Sequence, residues 1–247
     1  MFIKNFVMKT LYSLVLISII IVYSQCNFTY KRIKGNGNIS SETKEVSQSG
    51  KIKISGNFNV FIDSGAASVK VETDENLISK IRIYNDEGWL IIKPEKYKNL
   101  IPSSDIKIYI TTPQLKSLKL AGKCDAKSIA KLLSNEEIIF DIAGSGNLDF
   151  NIHAPDIKIS IAGSGDVFLM GETRNVDLNI AGNGDFKGFD LKAENVDVSI
   201  AGNGDAQIFS SNTLKVKIAG NGSIKYKGNP TIDKKIMGNG SITHSEN

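Results

Sequence analysis

Three aspartates recur at nearly constant spacing in the second half of the chain, and carboxylates repeated in this way could bind a divalent cation. Asp166, Asp185 and Asp205 each follow the second glycine of a short phrase, Ile-Ala-Gly-x-Gly-Asp. If the phrases stack, their carboxylates would lie about 5 Å apart and would repel one another. A bound calcium ion would offset that repulsion. Hydrogen bonds from the backbone N–H groups of the turns would also offset it, with each side chain facing solvent.

Calcium is the weaker of these two interpretations. The ion takes about six to eight oxygen ligands, whereas each phrase supplies only one carboxylate. The phrase also lacks the doubled glycine and the period of about nine residues that calcium-binding β-rolls have. We therefore expect no metal and no cofactor, and we keep a calcium-stabilised structural module as an alternative.

The histidines and cysteines do not predict catalysis. His153 and His244 fall at unrelated positions of the repeat, and neither a Ser-His-Asp arrangement nor a metal-ligand spacing is visible in the sequence. Cys124 replaces the second glycine in a decayed copy of the phrase, LAGKCD at 120–125, so we interpret it as structural. The sequence predicts a protein that is not an enzyme, with a carbohydrate-active β-helix enzyme as the alternative.

The phrase itself predicts the architecture. Copies begin at residues 142, 161, 180, 200, 218 and 236, so they are 18 to 20 residues apart. A strand with apolar residues at every second position precedes each copy, and a second strand follows it. Short repeats with glycines at fixed places are typical of solenoids. We predict an all-β, compact, single-domain parallel β-helix of about six or seven regular coils preceded by less regular strands, and a right-handed wind is favoured.

Two glycines in each copy are expected to have a positive φ, because the chain must turn sharply between strands and glycine adopts that conformation without strain. These structural turn glycines are Gly144, Gly146, Gly163, Gly165, Gly182, Gly184, Gly202, Gly204, Gly220, Gly222, Gly238 and Gly240. The residue between them is serine in two copies and asparagine in four. We expect these polar side chains to form a hydrogen-bonded ladder along the stack.

The first segment, residues 1–25, is typical of a secretory signal peptide. Lys4 and Lys9 precede an apolar run at 11–23. Thirteen residues are too few to cross a bilayer as a helix, which takes about 20, but they fit the apolar core of a signal. An uncleaved anchor and simple secretion without lipid remain alternatives.

The second segment, residues 26–45, is predicted to be a lipidated cysteine followed by a tether. Cys26 comes just after the apolar run, as in bacterial lipoproteins, although Gln25 and Tyr23 differ from the usual residues there. The stretch after it is polar and has few core candidates. The motif IKGNGN at 33–38 echoes the repeat, so this stretch could instead pair at the start of the solenoid.

The remaining two segments are predicted to form the solenoid. Residues 46–118 are its less regular, β-rich N-terminal part, in which NDEG at 85–88 predicts a hairpin. Residues 119–247 are its regular part, built on the repeated phrase. The best helix candidate within the regular part is KSIAKLL at 127–133.

Charge argues against a nucleic-acid partner. The formal net charge is +4, of which Lys4 and Lys9 supply two, and the sequence has no basic run or arginine cluster. We expect the partners to be the membrane, through the lipid anchor, and glycan or protein ligands on a flat solenoid face. The outward positions that would form this face include Lys158, Ser160, Asp177, Asn179, Asp197, Ser199, Lys215 and Lys217.

The chain resembles a bacterial family, the putative auto-transporter adhesin, head GIN domain family (DUF2807). The resemblance rests on ISGNFNVFIDSG at 54–65, VKVETDENLISKIRI at 69–83, WLIIKP at 89–94 and the later Gly-x-Gly copies at 144–147, 163–166, 182–185 and 202–205. It covers about residues 46–242. It implies a non-catalytic, adhesin-like β-solenoid of the bacterial cell envelope, in the form of an outer-membrane lipoprotein facing the periplasm or the cell surface. Ser223 and Ser241 depart from the family pattern because they replace the acid.

Overall fold

The computed structural model describes residues 30–246. The predicted signal peptide and Cys26 therefore lie outside the described residues. Strands make up 71% of the structure and helix 2%, which confirms the all-β prediction. Within residues 30–246 no helix is long and apolar enough to cross a bilayer.

The strands fall into an irregular N-terminal set and a regular C-terminal set. The first set comprises β1 (Lys31–Lys34), β2 (Ile39–Glu45), β3 (Lys51–Ser64), β4 (Ser68–Asp74), helix α1 (Glu75–Ile78), β5 (Ile81–Asp86), β6 (Trp89–Pro94), β7 (Lys98–Ile101), β8 (Lys107–Thr112) and β9 (Ser117–Ser128). The second set comprises β10 (Leu132–Leu133), β11 (Ile138–Gly144), β12 (Leu148–His153), β13 (Asp156–Gly163), β14 (Val167–Gly182), β15 (Phe186–Gly202), β16 (Ala206–Gly220), β17 (Ser223–Lys227), β18 (Thr231–Gly238) and β19 (Ser241–His244).

Successive repeats lie directly on top of one another. Ile142 pairs in parallel with Ile161, and Ile161 pairs with Ile180. The same register continues through β15, β16 and β18, and the strands after the corners also pair in parallel. The predicted β-solenoid is confirmed, with about six turns.

The inward positions of the stacked strands fill one continuous apolar interior. Ile157, Ile159 and Ile161 are buried in one coil, and the equivalent residues of the neighbouring coils are buried beside them. Phe140 and Phe150 meet edge to face inside the stack, with ring centroids 5.4 Å apart. Burial of each such side chain contributes about 1.5–3 kcal/mol, so the aliphatic columns are the main favourable contribution to folding.

A Cβ on either glycine of a corner would meet a carbonyl oxygen of the preceding coil, and the first glycine also has a positive φ. Gly182 has a φ of +134°, as predicted for a turn glycine, but Gly184 lies outside the positive region. The expectation of a positive φ at both positions is therefore wrong for the second glycine. A Cβ at Gly184 would lie 2.3 Å from the carbonyl oxygen of Gly165 in the preceding coil. The second glycine is present because the backbones of neighbouring corners touch.

The stacking begins earlier than the repeated phrase indicates. Strand β3 pairs in parallel with β9, which aligns Gly56 with Gly122 and Phe58 with Cys124. The segment ISGNFN at 54–59 therefore forms a first, more diverged corner of the solenoid. Antiparallel pairs are added around it, between β2 and β4, β4 and β8, and β5 and β6.

Two local predictions in this region have opposite outcomes. The hairpin at 85–88 is confirmed, since β5 and β6 are antiparallel and both Glu87 and Gly88 have a positive φ. The helix at 127–133 is wrong, because this stretch contributes to β9 and β10 and pairs with the β12 strand. The parallel ladder takes up the backbone groups that a helix would have used internally.

The first described segment, residues 31–45, is part of the fold. Strand β2 pairs with β4, and β1 pairs with β7. The interpretation of residues 26–45 as a tether is therefore wrong for residues 31–45, and the alternative that this stretch pairs with the N-terminal strands is correct. The stretch has few apolar residues because backbone pairing, and not core burial, holds its strands. The apolar pattern therefore did not predict them.

A buried carboxylate fixes this segment to the solenoid. Asp74 accepts hydrogen bonds from the N–H of Gly37 (2.7 Å), the N–H of Ser103 (2.8 Å) and the Oγ of Ser103 (2.7 Å). The bond from the Ser103 N–H is the largest cause that lowers the pKa of Asp74. The stabilisation is fully present above the ordinary pKa of an aspartate, about 3.9, and is lost as the pH falls through the lowered pKa of the folded protein.

Candidate binding face

The carboxylates after the second glycines bind the backbone of the neighbouring coil. Asp166 accepts the N–H of Asp185 (3.1 Å), and Asp185 accepts the N–H of Asp205 (2.9 Å). Asp205 accepts both the N–H and the hydroxyl of Ser223 (2.8 and 2.6 Å). Hydrogen bonds to turn N–H groups thus account for the regular spacing of these carboxylates, as one of the two sequence interpretations expects. Across residues 30–246 no cluster of three or more His, Cys, Asp or Glu residues could hold a metal ion.

The asparagines between the corner glycines form a ladder. The Nδ2 of Asn203 donates to the Oδ1 of Asn183 (2.9 Å), and Asn221 donates to Asn203 in the same way (2.9 Å). Asn239 continues the chain at 3.3 Å. The predicted ladder is confirmed for these four asparagines, and it fixes the outer edge of the corners.

A second polar ladder was missed by the sequence analysis. Asn175 donates to the carboxylate of Asp156, and Asn195 donates to the Oδ1 of Asn175 (3.0 Å). Thr213 in turn donates its hydroxyl to Asn195 (2.8 Å). Each of these residues lies five positions before the isoleucine of the glycine phrase, so aligning the repeats on this phrase brings them into one column. This alignment is the feature of the sequence that could have predicted the second ladder.

The thiol of Cys124 is structural, as predicted. It is buried, and burial raises its pKa to about 11. The Sγ lies 3.5 Å from the carbonyl oxygen of Gly56, to which it can donate. Because the reactive species of cysteine is the thiolate, a thiol held in this way is inert at neutral pH.

The two histidines occupy separate exposed positions. The Nδ1 of His153 lies 3.5 Å from a carboxylate oxygen of Glu172. The Nε2 of His244 lies 3.2 Å from the carbonyl oxygen of Gly228 in the last coil. Neither contact pairs a histidine with a hydroxyl or thiol nucleophile.

The strands before the corners present two outward rows on one face of the solenoid, which we call the pre-turn face. The charged row consists of Lys158, Asp177, Asp197 and Lys215. The polar row consists of Ser160, Asn179, Ser199 and Lys217. The predicted outward residues are therefore brought together in register. Lys158 and Asp177 form an ion pair (3.5 Å), and Asn179 donates to Asp177 (2.8 Å).

Two shallow open grooves run along this face across several coils. The acidic groove has a volume of about 370 Å³ and is lined by Glu137, Asp156, Ile157, Asn175, Val176, Asp177, Asn195, Val196, Asp197, Thr213 and Lys215. The alanine groove has a volume of about 380 Å³ and is lined by Ser160, Ile161, Ala162, Asn179, Ile180, Ala181, Ser199, Ile200, Ala201, Lys217 and Ala219. The alanines of the glycine phrase form an exposed apolar strip in this groove.

The chemistry of this face is repetitive hydrogen bonding. Carboxylate, amide and hydroxyl groups recur from coil to coil at about 4.8 Å, beside a narrow apolar strip. An extended ligand could therefore make the same contacts several times along the stack. The fold and the face together define a β-solenoid with a repetitive polar surface.

The profile of the family described as "Putative auto-transporter adhesin, head GIN domain" (DUF2807) matches residues 50–230. The chain belongs to this family, and the resemblance noted from its sequence is confirmed. No curated protein shows a significant match to the chain.

Solved structures of the same fold come from Parabacteroides and Bacteroides species. A "putative lipid binding protein" from Parabacteroides distasonis is 29% identical, with a TM-score of 0.74, and the match covers 87% of this chain and 100% of that chain. A "putative adhesin" from Bacteroides fragilis is 24% identical, with a TM-score of 0.82, and the match covers 86% of this chain and 100% of that chain. The second likeness shows the fold alone. The description of the family agrees with an adhesin-like protein at the level of the family, and neither it nor that of the P. distasonis protein names an enzyme.

The hydrogen-bonded role of Asp185 makes a direct prediction. Asp185→Ala removes the acceptor for the Asp205 N–H and should destabilise the protein by roughly 0.5–1.5 kcal/mol. Asp185→Asn keeps an acceptor oxygen and should be nearly neutral, because Asn147 already accepts the N–H of Asp166 at 3.0 Å. Thermal unfolding of both variants measures the difference.

The same samples test the calcium alternative. Millimolar calcium and EGTA should give the same Tm for the wild-type protein. A Tm that rises with calcium in the wild type and not in Asp185→Asn would contradict the hydrogen-bond account and restore the metal site.

Proposed function

We propose that this protein is a non-catalytic binding module of the bacterial cell envelope, and that its pre-turn face binds neutral glycan chains. The observation that supports this most strongly is the pair of grooves that run along the stacked coils. A polysaccharide repeats its hydroxyl groups along its length, as the face repeats its acceptors. Many weak contacts made at once give useful affinity without a deep pocket.

The surface composition favours a glycan over a protein ligand. Protein interfaces usually depend on a central buried aromatic or aliphatic anchor. None of the exposed large apolar residues between 30 and 246 lines either groove, and Met237 comes nearest, because it pairs with Ala219 at one end of the alanine groove. These residues are Tyr30, Ile39, Tyr97, Ile129, Leu133, Ile232 and Met237. The face instead offers oxygen and amide groups, which suit a ligand rich in hydroxyls.

The charge of the acidic groove selects among glycans. Its lining contains four carboxylates and one lysine. An anionic polymer would be repelled there, with an interaction of about 1 kcal/mol per close charge pair in water. Neutral polysaccharides are therefore the ligand class that the groove fits.

Affinity electrophoresis in gels that contain single polysaccharides tests this proposal. Residues 27–247 are suitable for this experiment. The solved relatives match 86–87% of this chain over their whole length, so a segment of this size folds alone. At least one neutral polysaccharide should retard the protein. Asp177→Lys with Asp197→Lys should abolish the retardation, whereas Asp149→Lys with Asp190→Lys, which makes the same charge change off this face, should retain it.

Other outcomes would overturn the proposal. Equal retardation of the two double variants would show that the pre-turn face is not the binding site. A lack of retardation by every neutral polysaccharide would show the same. If protein ligands alone retard the protein, the ligand of this face is a protein and not a glycan. Release of reducing ends from a bound polysaccharide would support the carbohydrate-active enzyme.

Anchoring through Cys26 is a separate part of the proposal. The apolar run at 11–23 followed by a cysteine supports a lipoprotein, held in the outer membrane by acyl chains and facing the periplasm or the cell surface. Full-length wild-type protein should incorporate labelled palmitate, and Cys26→Ala should not. The buried Cys124→Ala serves as the control, and label in Cys26→Ala would show that the anchor is not at this residue.

A further inference from the structure

Strands β1 and β7 form a small two-stranded sheet outside the main sheet, which we call the basic ribbon. Lys31 pairs with Lys98 and Lys34 pairs with Ile101. The N–H of Lys31 donates to the carbonyl of Tyr97 (2.9 Å), and that of Gly35 donates to Ile101 (2.8 Å). The ribbon is attached to the core through the partly buried Leu100 and, at its end, through the Asp74 bonds to Gly37 and Ser103.

The ribbon concentrates positive charge that is dispersed in the sequence. Residues 30–34 and 95–101 contain five basic residues and one acid, a net of +4, which equals the formal net charge of the whole chain. The basic residues are Lys31, Arg32, Lys34, Lys96 and Lys98. Among the ion pairs within residues 30–246, none involves these five.

The pairing places like charges next to each other. Lys31 and Lys98 lie directly opposite on neighbouring strands, an arrangement that is destabilising in a sheet. Some lysines of the solenoid have an acid across the coil, as Lys119 with Asp141 (2.9 Å) and Lys127 with Asp149 (3.2 Å). Lys217 and Lys235 form a second like-charge pair near the other end of the solenoid. An anionic partner on the ribbon would offset the repulsion that the protein itself leaves in place.

Two tyrosines accompany these charges. Tyr30 is 59% exposed and Tyr97 is 40% exposed, and the Nζ of Lys96 lies 4.6 Å from the ring centroid of Tyr97. Tyrosine combines an apolar ring with a polar hydroxyl and is enriched at the interface between membrane and water. Basic residues beside interfacial aromatics are the combination that an anionic lipid surface recognises.

The position of the ribbon in the chain suits this partner. Tyr30 follows the proposed anchor, Cys26, by four residues, which span at most about 14 Å when fully extended. An anchored chain would therefore hold the ribbon near the headgroups. This reach depends on the proposed anchor, whereas the charge argument does not.

We propose that the basic ribbon is a docking surface for anionic lipid headgroups, which orients the solenoid with its N-terminal end on the membrane. The lipid charges neutralise the lysines and the arginine, and the tyrosine rings enter the interface. The coils then extend away from the bilayer, and the pre-turn face stays accessible. Binding is electrostatic, so it weakens as salt screens the charges.

Vesicle cosedimentation of residues 27–247, which lack the apolar run, tests this docking apart from any anchor. Phosphatidylcholine vesicles containing phosphatidylglycerol should bind the protein, high salt should release it, and pure phosphatidylcholine should not bind it. The variant with Lys31, Arg32, Lys34 and Lys96 each changed to Gln should bind at least about tenfold more weakly. These side chains are exposed, so the fold should be retained, as circular dichroism would verify.

The matched control changes four exposed lysines near the other end of the solenoid. Lys192→Gln, Lys225→Gln, Lys234→Gln and Lys235→Gln lie off both grooves, remove the same charge and should leave binding within about twofold of wild type. An equal loss in both variants, or no preference for anionic vesicles, would overturn the proposal. Binding to an acidic polysaccharide or a nucleic acid at concentrations where vesicles fail would assign the ribbon to that partner instead. Failure here would leave the polysaccharide and palmitate results unaffected.

Discussion

Close contact between the backbones of neighbouring corners is the constraint on which the rest of the structure depends. At both glycines of a corner, the missing Cβ leaves room for a carbonyl of the preceding coil, and the first glycine also supplies the left-handed backbone of the turn. With the corners in contact, equivalent residues fall into columns. The aliphatic columns make the interior, the asparagine and aspartate columns hold the corners, and the outward columns make the pre-turn face.

Much of the regular part of the solenoid could be predicted from the sequence. The contact between corners acts on every coil, so the residues that it requires repeat along the chain. The glycine phrase gave the period, and the alternation of apolar residues before it gave the inward positions. The asparagine ladder followed from the same register, as did the structural place of Cys124 in a glycine column. The residues of the outward rows were predicted, but the grooves beside these rows depend on side-chain sizes in at least four adjacent coils.

The remainder depends on pairings between distant segments, which no local pattern records. The corner at Gly56 has diverged too far to match the phrase, and only its alignment with Gly122 shows it. The strands at 31–45 have few apolar residues, since hydrogen bonds and the Asp74 carboxylate hold them. The basic ribbon combines two segments about 65 residues apart along the chain, so its charge was invisible to a search for basic runs.

Thermal unfolding of two glycine variants tests the corner contact most directly. Gly204→Ala would place a Cβ 2.3 Å from the carbonyl oxygen of Gly184, whereas at Gly65, which also lacks a positive φ, the nearest atom is 3.8 Å away. Gly204→Ala should cost about 2 kcal/mol or more, a fall in Tm on the order of 4–8 °C. Gly65→Ala should keep or slightly raise the Tm, because it only restricts the unfolded chain. Equal Tm values for the two variants would contradict direct contact between stacked corners.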